Sequence, residues 1–209
     1  MGEAKRKAAA RTLAGDTPPQ VDMARVAGAM RRLAVAASGS LGSDCYSHAV
    51  IVQAILARLG VAAEIRAGYA AWRVGNGDGD VILHAPTENA PPQPGAIFHH
   101  VWLEIGNQLL DVTTYQLRTK AAQLDAMDGG RTDVKWCPDF LYAPIESASP
   151  LQLVIQREAG LYYYDRQAGL EELMFSTAKP LDEVDLEAAW LLYCNPNAEA
   201  IGLNNVAEI

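Results

Sequence analysis

Residues 99–114 read HHVWLEIGNQLLDVTT, and the Gly106-Asn107 pair at their centre constrains the chain more than any other feature. Gly-Asn between two apolar runs signals a two-residue β-hairpin loop, which fixes the register of the strands on either side. Ile105 then faces Gln108, Trp102 lies opposite Asp111, and His100 lies opposite Thr113. Side chains alternate across a strand, so His100, Trp102 and Glu104 share a face with Asp111, while His99, Val101, Leu103 and Ile105 take the other. His100 and Asp111 become diagonal neighbours; His99 and Asp111 do not. A histidine oriented by a carboxylate has a fixed tautomer and a supported positive charge, which suits it to move a proton to or from a nucleophile.

The best-placed nucleophile is Cys45. CYSHAVIVQAILARLG spells a helix with Ser43 or Asp44 as N-cap, an apolar stripe through Ile51, Val52, Ile55, Leu56 and Leu59, and Gly60 as its stop. Cys45 falls in the first turn, where free backbone N–H groups and the positive end of the helix dipole favour a thiolate. Cys137, in VKWCPDF, and Cys194, in LLYCNPN, follow apolar or aromatic residues and read as small buried side chains. The three cysteines form no zinc-type pair and leave an odd thiol, which predicts a reducing, cytoplasmic setting.

Elsewhere, VDMARVAGAMRRLAVAA predicts an amphipathic helix with Val21, Met23, Val26, Met30, Leu33 and Val35 inward. VAAEIRAGYAAWRV and VILHA predict strands on either side of the GNGDGD turn. A Pro-rich loop, TENAPPQPG, precedes the strand AIFHHVWLEI. A helix is predicted near 119–127, a second hairpin over LQLVIQREAGLYYYDR, and a last helix over LDEVDLEAAWLLYC. The resulting class is α+β: a central helix carrying the cysteine, packed on an antiparallel sheet.

Half of the 209 residues are apolar and a fifth charged, as in an ordinary globular protein, with a net charge of −8. The imbalance argues against nucleic acid as a partner. Residues 1–32 hold seven Lys/Arg against three Asp/Glu, and the rest ten against twenty-two. Residues 1–20 therefore read as a flexible basic tail and residues 21–209 as a single domain. No run is long and apolar enough for a secretion signal or a membrane span, so no membrane partner is expected.

Cys45 opening a helix, IRAGY in the following strand, HVWLEI, and LLDVTT after a tight turn resemble the core of the transglutaminase-like superfamily of papain-fold cysteine enzymes. The matching positions are Cys45, Arg66 with Gly68, His100 with Trp102 and Glu104, and Asp111, spanning roughly residues 40–116 and leaving a C-terminal elaboration. The resemblance implies a papain-like fold and Cys45, His100 and Asp111 as a catalytic triad, supported by Trp102, Asp44 and Tyr46. Trp102 would shield the Cys–His pair, and Tyr46 stands where transglutaminases proper carry Trp. The implied chemistry is acyl transfer or amide hydrolysis on a peptide, protein or small amide, with no cofactor and no metal.

Two alternatives stand beside this reading. The fold could serve as a catalytically silent domain that binds a protein or peptide. A weaker zinc reading takes Cys45 and His48 with His99 or His100, but lacks a fourth spaced ligand. His99 is expected to pack in the core or cap a neighbour, and His84 has no obvious partner. Tyr162, Tyr163 and Tyr164 would line a groove or cover an apolar patch.

Overall fold

The structure, a computed structural model, describes residues 21–86, 98–156, 158–177 and 180–206. The basic tail at 1–20, the whole Pro-rich loop at 87–95 and the first two residues of the predicted strand at 96–105 lie outside the described residues.

Helix α1 (Met23–Ala37) begins where the Asp22 side chain accepts a hydrogen bond from the Arg25 amide at 3.1 Å. Val26 and Met30 are buried as the apolar spacing predicts, but so are Ala27, Ala29, Ala34 and Ala36, while Val35 is exposed. The small side chains let α1 lie close to α6 (Glu183–Cys194), where Ala189 is fully buried. Helix α2 (Cys45–Arg58) buries Ile51, Val52, Ile55 and Leu56, and the chain turns away at Gly60 with φ +76°. Full burial of side chains such as Ile55 and Leu56 stabilises the fold by about 1.5–3 kcal/mol each.

The sheet is antiparallel throughout and six-stranded: β1 (Glu64–Arg73), β2 (Val81–His84), β3 (His100–Ile105), β4 (Gln108–Asp111), β5 (Leu141–Pro144) and β6 (Tyr162–Arg166). The β3–β4 hairpin has the register predicted from Gly106-Asn107: Leu103 faces Leu110, Glu104 faces Leu109 and Ile105 faces Gln108. Gly106 takes φ +61°, as such a turn requires. Val101, Leu103 and Leu110 pack with Ala67 and the α2 side chains Ile51, Val52 and Ile55 in one core cluster. The α+β class, with α2 on an antiparallel sheet, is therefore observed.

Four elements depart from the sequence reading. Of the described part of the predicted strand at 96–105, Phe98 and His99 lie outside the strand and β3 begins at His100. LQLVIQREAGLYYYDR is not a hairpin: its first half is α4 (Leu151–Gln156), and its second half, β6, pairs with β1 instead. A six-residue run with four apolar side chains fits a strand or about one and a half helical turns equally, and Pro150 immediately before it suits a helix start. Helix α5 (Ala168–Thr177) and strand β5 had no sequence signal strong enough to predict, whereas α3 (Leu117–Asp128) extends the expected 119–127 segment by one turn or less.

Candidate active site

The long strand β1 organises the site. It pairs with β3 along its first half, β2 along its second and β6 across its middle. Gly68 faces His100, Ala70 faces both His84 and Tyr164 on different edges, and Trp72 faces Tyr162. Positions 68, 70 and 72 point to one side of the pleat, so these aromatic side chains gather there. Gly68 admits no side chain: a Cβ would stand 2.0 Å from the Asp165 carbonyl oxygen of β6.

His100 and Asp111 meet as their register requires, with Nε2 2.8 Å from Oδ2 and both side chains almost fully buried. Asp111 accepts three further bonds. The Thr113 amide and hydroxyl donate to Oδ1 at 2.8 and 2.7 Å, and the Tyr164 hydroxyl donates to Oδ2 at 2.6 Å. Trp72 Nε1 in turn donates to the Tyr164 hydroxyl at 2.9 Å. Burial disfavours both charges, yet the two groups support each other strongly enough to lift His100 to about 10 and hold Asp111 down at about 2. Trp102 lies parallel to the His100 ring, 12° between planes at 6.4 Å, and Trp72 meets it edge-on at 4.7 Å.

Cys45 is the first residue of α2 and is partly exposed. With His100 Nε2 held by Asp111, Nδ1 is buried without a hydrogen-bond partner, and the ring lines the same cleft as the Cys45 thiol. Burial opposes ionisation of Cys45, but the neighbouring His100 and His99 outweigh it and bring the thiol from 9.0 down to about 6. The contribution of His99 corrects the expectation that it turns away. β3 begins at His100, so His99 precedes the pleat and strand alternation does not govern it.

The loop leading into α2 is held from α3's side: Gln116 Oε1 accepts from the Gly42 amide at 2.6 Å, and Gln116 Nε2 donates to the Tyr115 hydroxyl at 2.9 Å. Asp44 occupies the N-cap position without capping through its side chain, which instead accepts from Ser38 Oγ at 2.6 Å. Tyr46 packs against the main core cluster and is not among the described residues lining the cleft over Cys45. That cleft has a volume of about 240 Å³ and reaches Cys45, His99, His100 and His84.

His48 is withdrawn from any zinc set, since Nδ1 lies 2.9 Å from the Asp44 carbonyl and Nε2 3.1 Å from the Tyr115 hydroxyl. Among the described residues, no group of three or more His, Cys, Asp or Glu side chains is arranged to hold a metal ion. Cys137 is partly buried and donates to the Thr114 and Tyr115 carbonyls, whereas Cys194, expected to be buried, is exposed at the end of α6.

Sequence reasoning missed three participants. Tyr164 was visible only as one of three adjacent tyrosines, and nothing local indicates that its hydroxyl reaches Asp111. Trp72, which carries that tyrosine, and His84, whose ring lies 5.7 Å from that of His100, depend equally on pairings made by β1.

The protein is α+β, with a buried histidine–aspartate pair from two strands and a cysteine from a helix start whose side chain lines the same cleft as the histidine. No family model matches the chain, and no curated protein matches it. A solved crystal structure of a genomics target is similar over 84% of this chain and 80% of its own, with a TM-score of 0.58 at 17% identity. That is a likeness of fold. No helix among the described residues is long and apolar enough to cross a membrane.

Proposed function

We propose that the protein is a papain-fold, transglutaminase-like cysteine enzyme that transfers an acyl group from an amide or ester to water or an amine. Cys45 is the nucleophile, His100 the general base and then acid, and Asp111 the group that orients His100. The observation that carries this reading is the Asp111–His100 contact at 2.8 Å, with Nδ1 left for a Cys45 thiol lowered to about 6. The free thiols support a reducing compartment, as expected for a cytoplasmic protein.

In this reading the thiol proton passes to His100 Nδ1 and the thiolate sulfur attacks the carbonyl carbon. The oxyanion forms at the start of α2, where first-turn amides lack intrahelical acceptors. As the carbon–nitrogen or carbon–oxygen bond breaks, His100 returns its proton to the leaving group, and a thioester remains. Water or an amine then gives a proton to His100 as it attacks, and the thiol is regenerated. Asp111 stays ionised throughout and keeps Nδ1 turned toward sulfur.

The test is labelling by a thiol-directed acyl probe together with alkylation across pH. Labelling is expected to vanish in Cys45→Ala and His100→Ala, and alkylation of Cys45 is expected to be fast already near pH 6, where an ordinary thiol is almost wholly protonated. A Cys45 that reacts slowly until about pH 8–9 would overturn the reading in favour of a catalytically silent peptide- or protein-binding domain.

A further inference from the structure

We propose that the cleft beside Cys45 receives a carboxylate carried by the acyl substrate, held by Lys120 of α3 and His84 of β2. The inference rests on the acyl-transfer reading of Cys45 and specifies what the nucleophile acts on.

Three observations converge on it. First, the cleft holds no acid: none of the described residues lining it is Asp or Glu, although acids outnumber bases in the chain by 25 to 17. Secondly, Lys120 lines the same cleft, and among the described residues it forms no ion pair. An ammonium in a concave, partly apolar cleft focuses its field toward the opening more than one on a convex surface does.

Thirdly, both ring nitrogens of His84 are buried without a hydrogen-bond partner. Such a group costs stability and calls for a reason. The ring cannot offset that cost by ionising, because burial and the neighbouring His100, Lys120 and His99 hold it down at about 3. A neutral imidazole still donates one N–H, and an oxygen entering the cleft would accept it.

The donor set also distinguishes among anions. One ammonium and one neutral N–H, apart from the histidines already engaged with Cys45, match a single negative charge on two oxygens better than a phosphate dianion. The remaining walls include Ile82, Leu83 and Leu124. They suit a short apolar stem between the reacting carbonyl and the carboxylate, and about 240 Å³ accommodates a residue-sized group.

Two maleimides with the same reactive ring test this in the full chain: neutral N-ethylmaleimide and anionic maleimidopropionate, each rate for Cys45 divided by that for free cysteine. The anionic reagent is expected to be favoured by about tenfold in the wild type. Lys120→Met should remove most of that preference and Lys120→Glu should reverse it, while His84→Leu should reduce it a few-fold. Equal normalised rates in the wild type, or a preference that survives both Lys120→Met and His84→Leu, would overturn the inference. Substituting inorganic phosphate as a competitor for acetate separates the charge classes: stronger protection by phosphate would overturn the assignment to a carboxylate. Failure of the acyl-transfer reading looks different, since Cys45 would then react with N-ethylmaleimide near pH 6 no faster than free cysteine, whatever the ratio.

Discussion

Two buried histidines each stand beside an aspartate in this molecule, and they end in opposite states. On the sheet, His100 and Asp111 come from adjacent strands and meet head-on at 2.8 Å, with every Asp111 oxygen satisfied by further donors. On the helix, His48 and Asp44 are four residues apart, and the nearest approach of ring nitrogen to carboxylate is 3.6 Å. His48 spends Nδ1 on the Asp44 carbonyl instead. Burial therefore prevails at His48, whose pKa is lowered, whereas the carboxylate prevails at His100, whose pKa is raised. Sequence proximity gives contact with too little charge support to outweigh burial; strand register gives alignment, and alignment decides which histidine can hold a proton beside Cys45.

The comparison is broken most directly at the thiol. Removing the His100 imidazole should return Cys45 from about 6 toward the ordinary thiol range, so His100→Ala should lower the thiolate population near pH 6 on the order of a hundredfold. His48→Gln should change it by less than about threefold, because the His48 ring is engaged by the Asp44 carbonyl and the Tyr115 hydroxyl rather than by Cys45. Thiolate absorbance in the ultraviolet, taken as the difference from Cys45→Ser, reads both variants. An equal loss in the two would mean that the helix pair, not the sheet pair, sets the thiol.

Stability should separate the pairs next. Asp111→Ala leaves a buried imidazolium without its counterion and is expected to cost about 3–5 kcal/mol, whereas Asp44→Ala, which removes mainly the bond from Ser38, should cost about 1 kcal/mol. Urea unfolding near neutral pH measures both, and similar values would erase the distinction. Linkage gives the pH window. The raised His100 contributes stability fully present below its unfolded value of about 6.5 and lost as pH rises through about 10. The depressed Asp111 contributes stability present above about 3.8 and lost as pH falls through about 2.

A smaller effect tests the support behind the sheet pair. Tyr164→Phe removes one donor to Asp111 and leaves Trp72 Nε1 without its acceptor. The expected loss is about 1.5 kcal/mol in urea unfolding, with the Cys45 thiol pKa rising only slightly because His100 keeps the carboxylate. If Tyr164→Phe instead matched Asp111→Ala, the pair would owe its alignment to β6 rather than to the hairpin.

That question marks the limit of what the sequence discloses. The hairpin was legible because Gly106-Asn107 fixes register locally, and period-two alternation then places His100 and Asp111 without knowledge of the rest of the fold. Cys45 was legible because helix starts have their own chemistry. Tyr164 and His84 were not, since each joins the site through β1, and pairing between strands tens of residues apart leaves no local signature. His99 was misplaced for a related reason: alternation holds only inside a strand, and the start of β3 is set by tertiary contacts rather than by composition.

The smallest expected effect is at His48. A histidine whose folded pKa is lowered binds its proton in the unfolded chain first, so unfolding gains protons and stability falls as pH drops below about 6.5. For a ring that stayed wholly neutral when folded, the loss between pH 7 and pH 6 would reach about 0.7 kcal/mol, which is the upper bound for His48. His48→Gln replaces the ring with an amide that does not titrate, so the variant should lose less stability than the wild type over the same interval, by no more than that bound, even if its stability at pH 7 is lower. His84 is lowered as well, but it contributes equally to both proteins and cancels in the difference. Matched slopes would mean that His48 takes up its proton in the folded state, with the Asp44 carboxylate turning from Ser38 to receive it. The helix pair would then be a latent version of the sheet pair, and the contrast between them would depend on pH rather than on register.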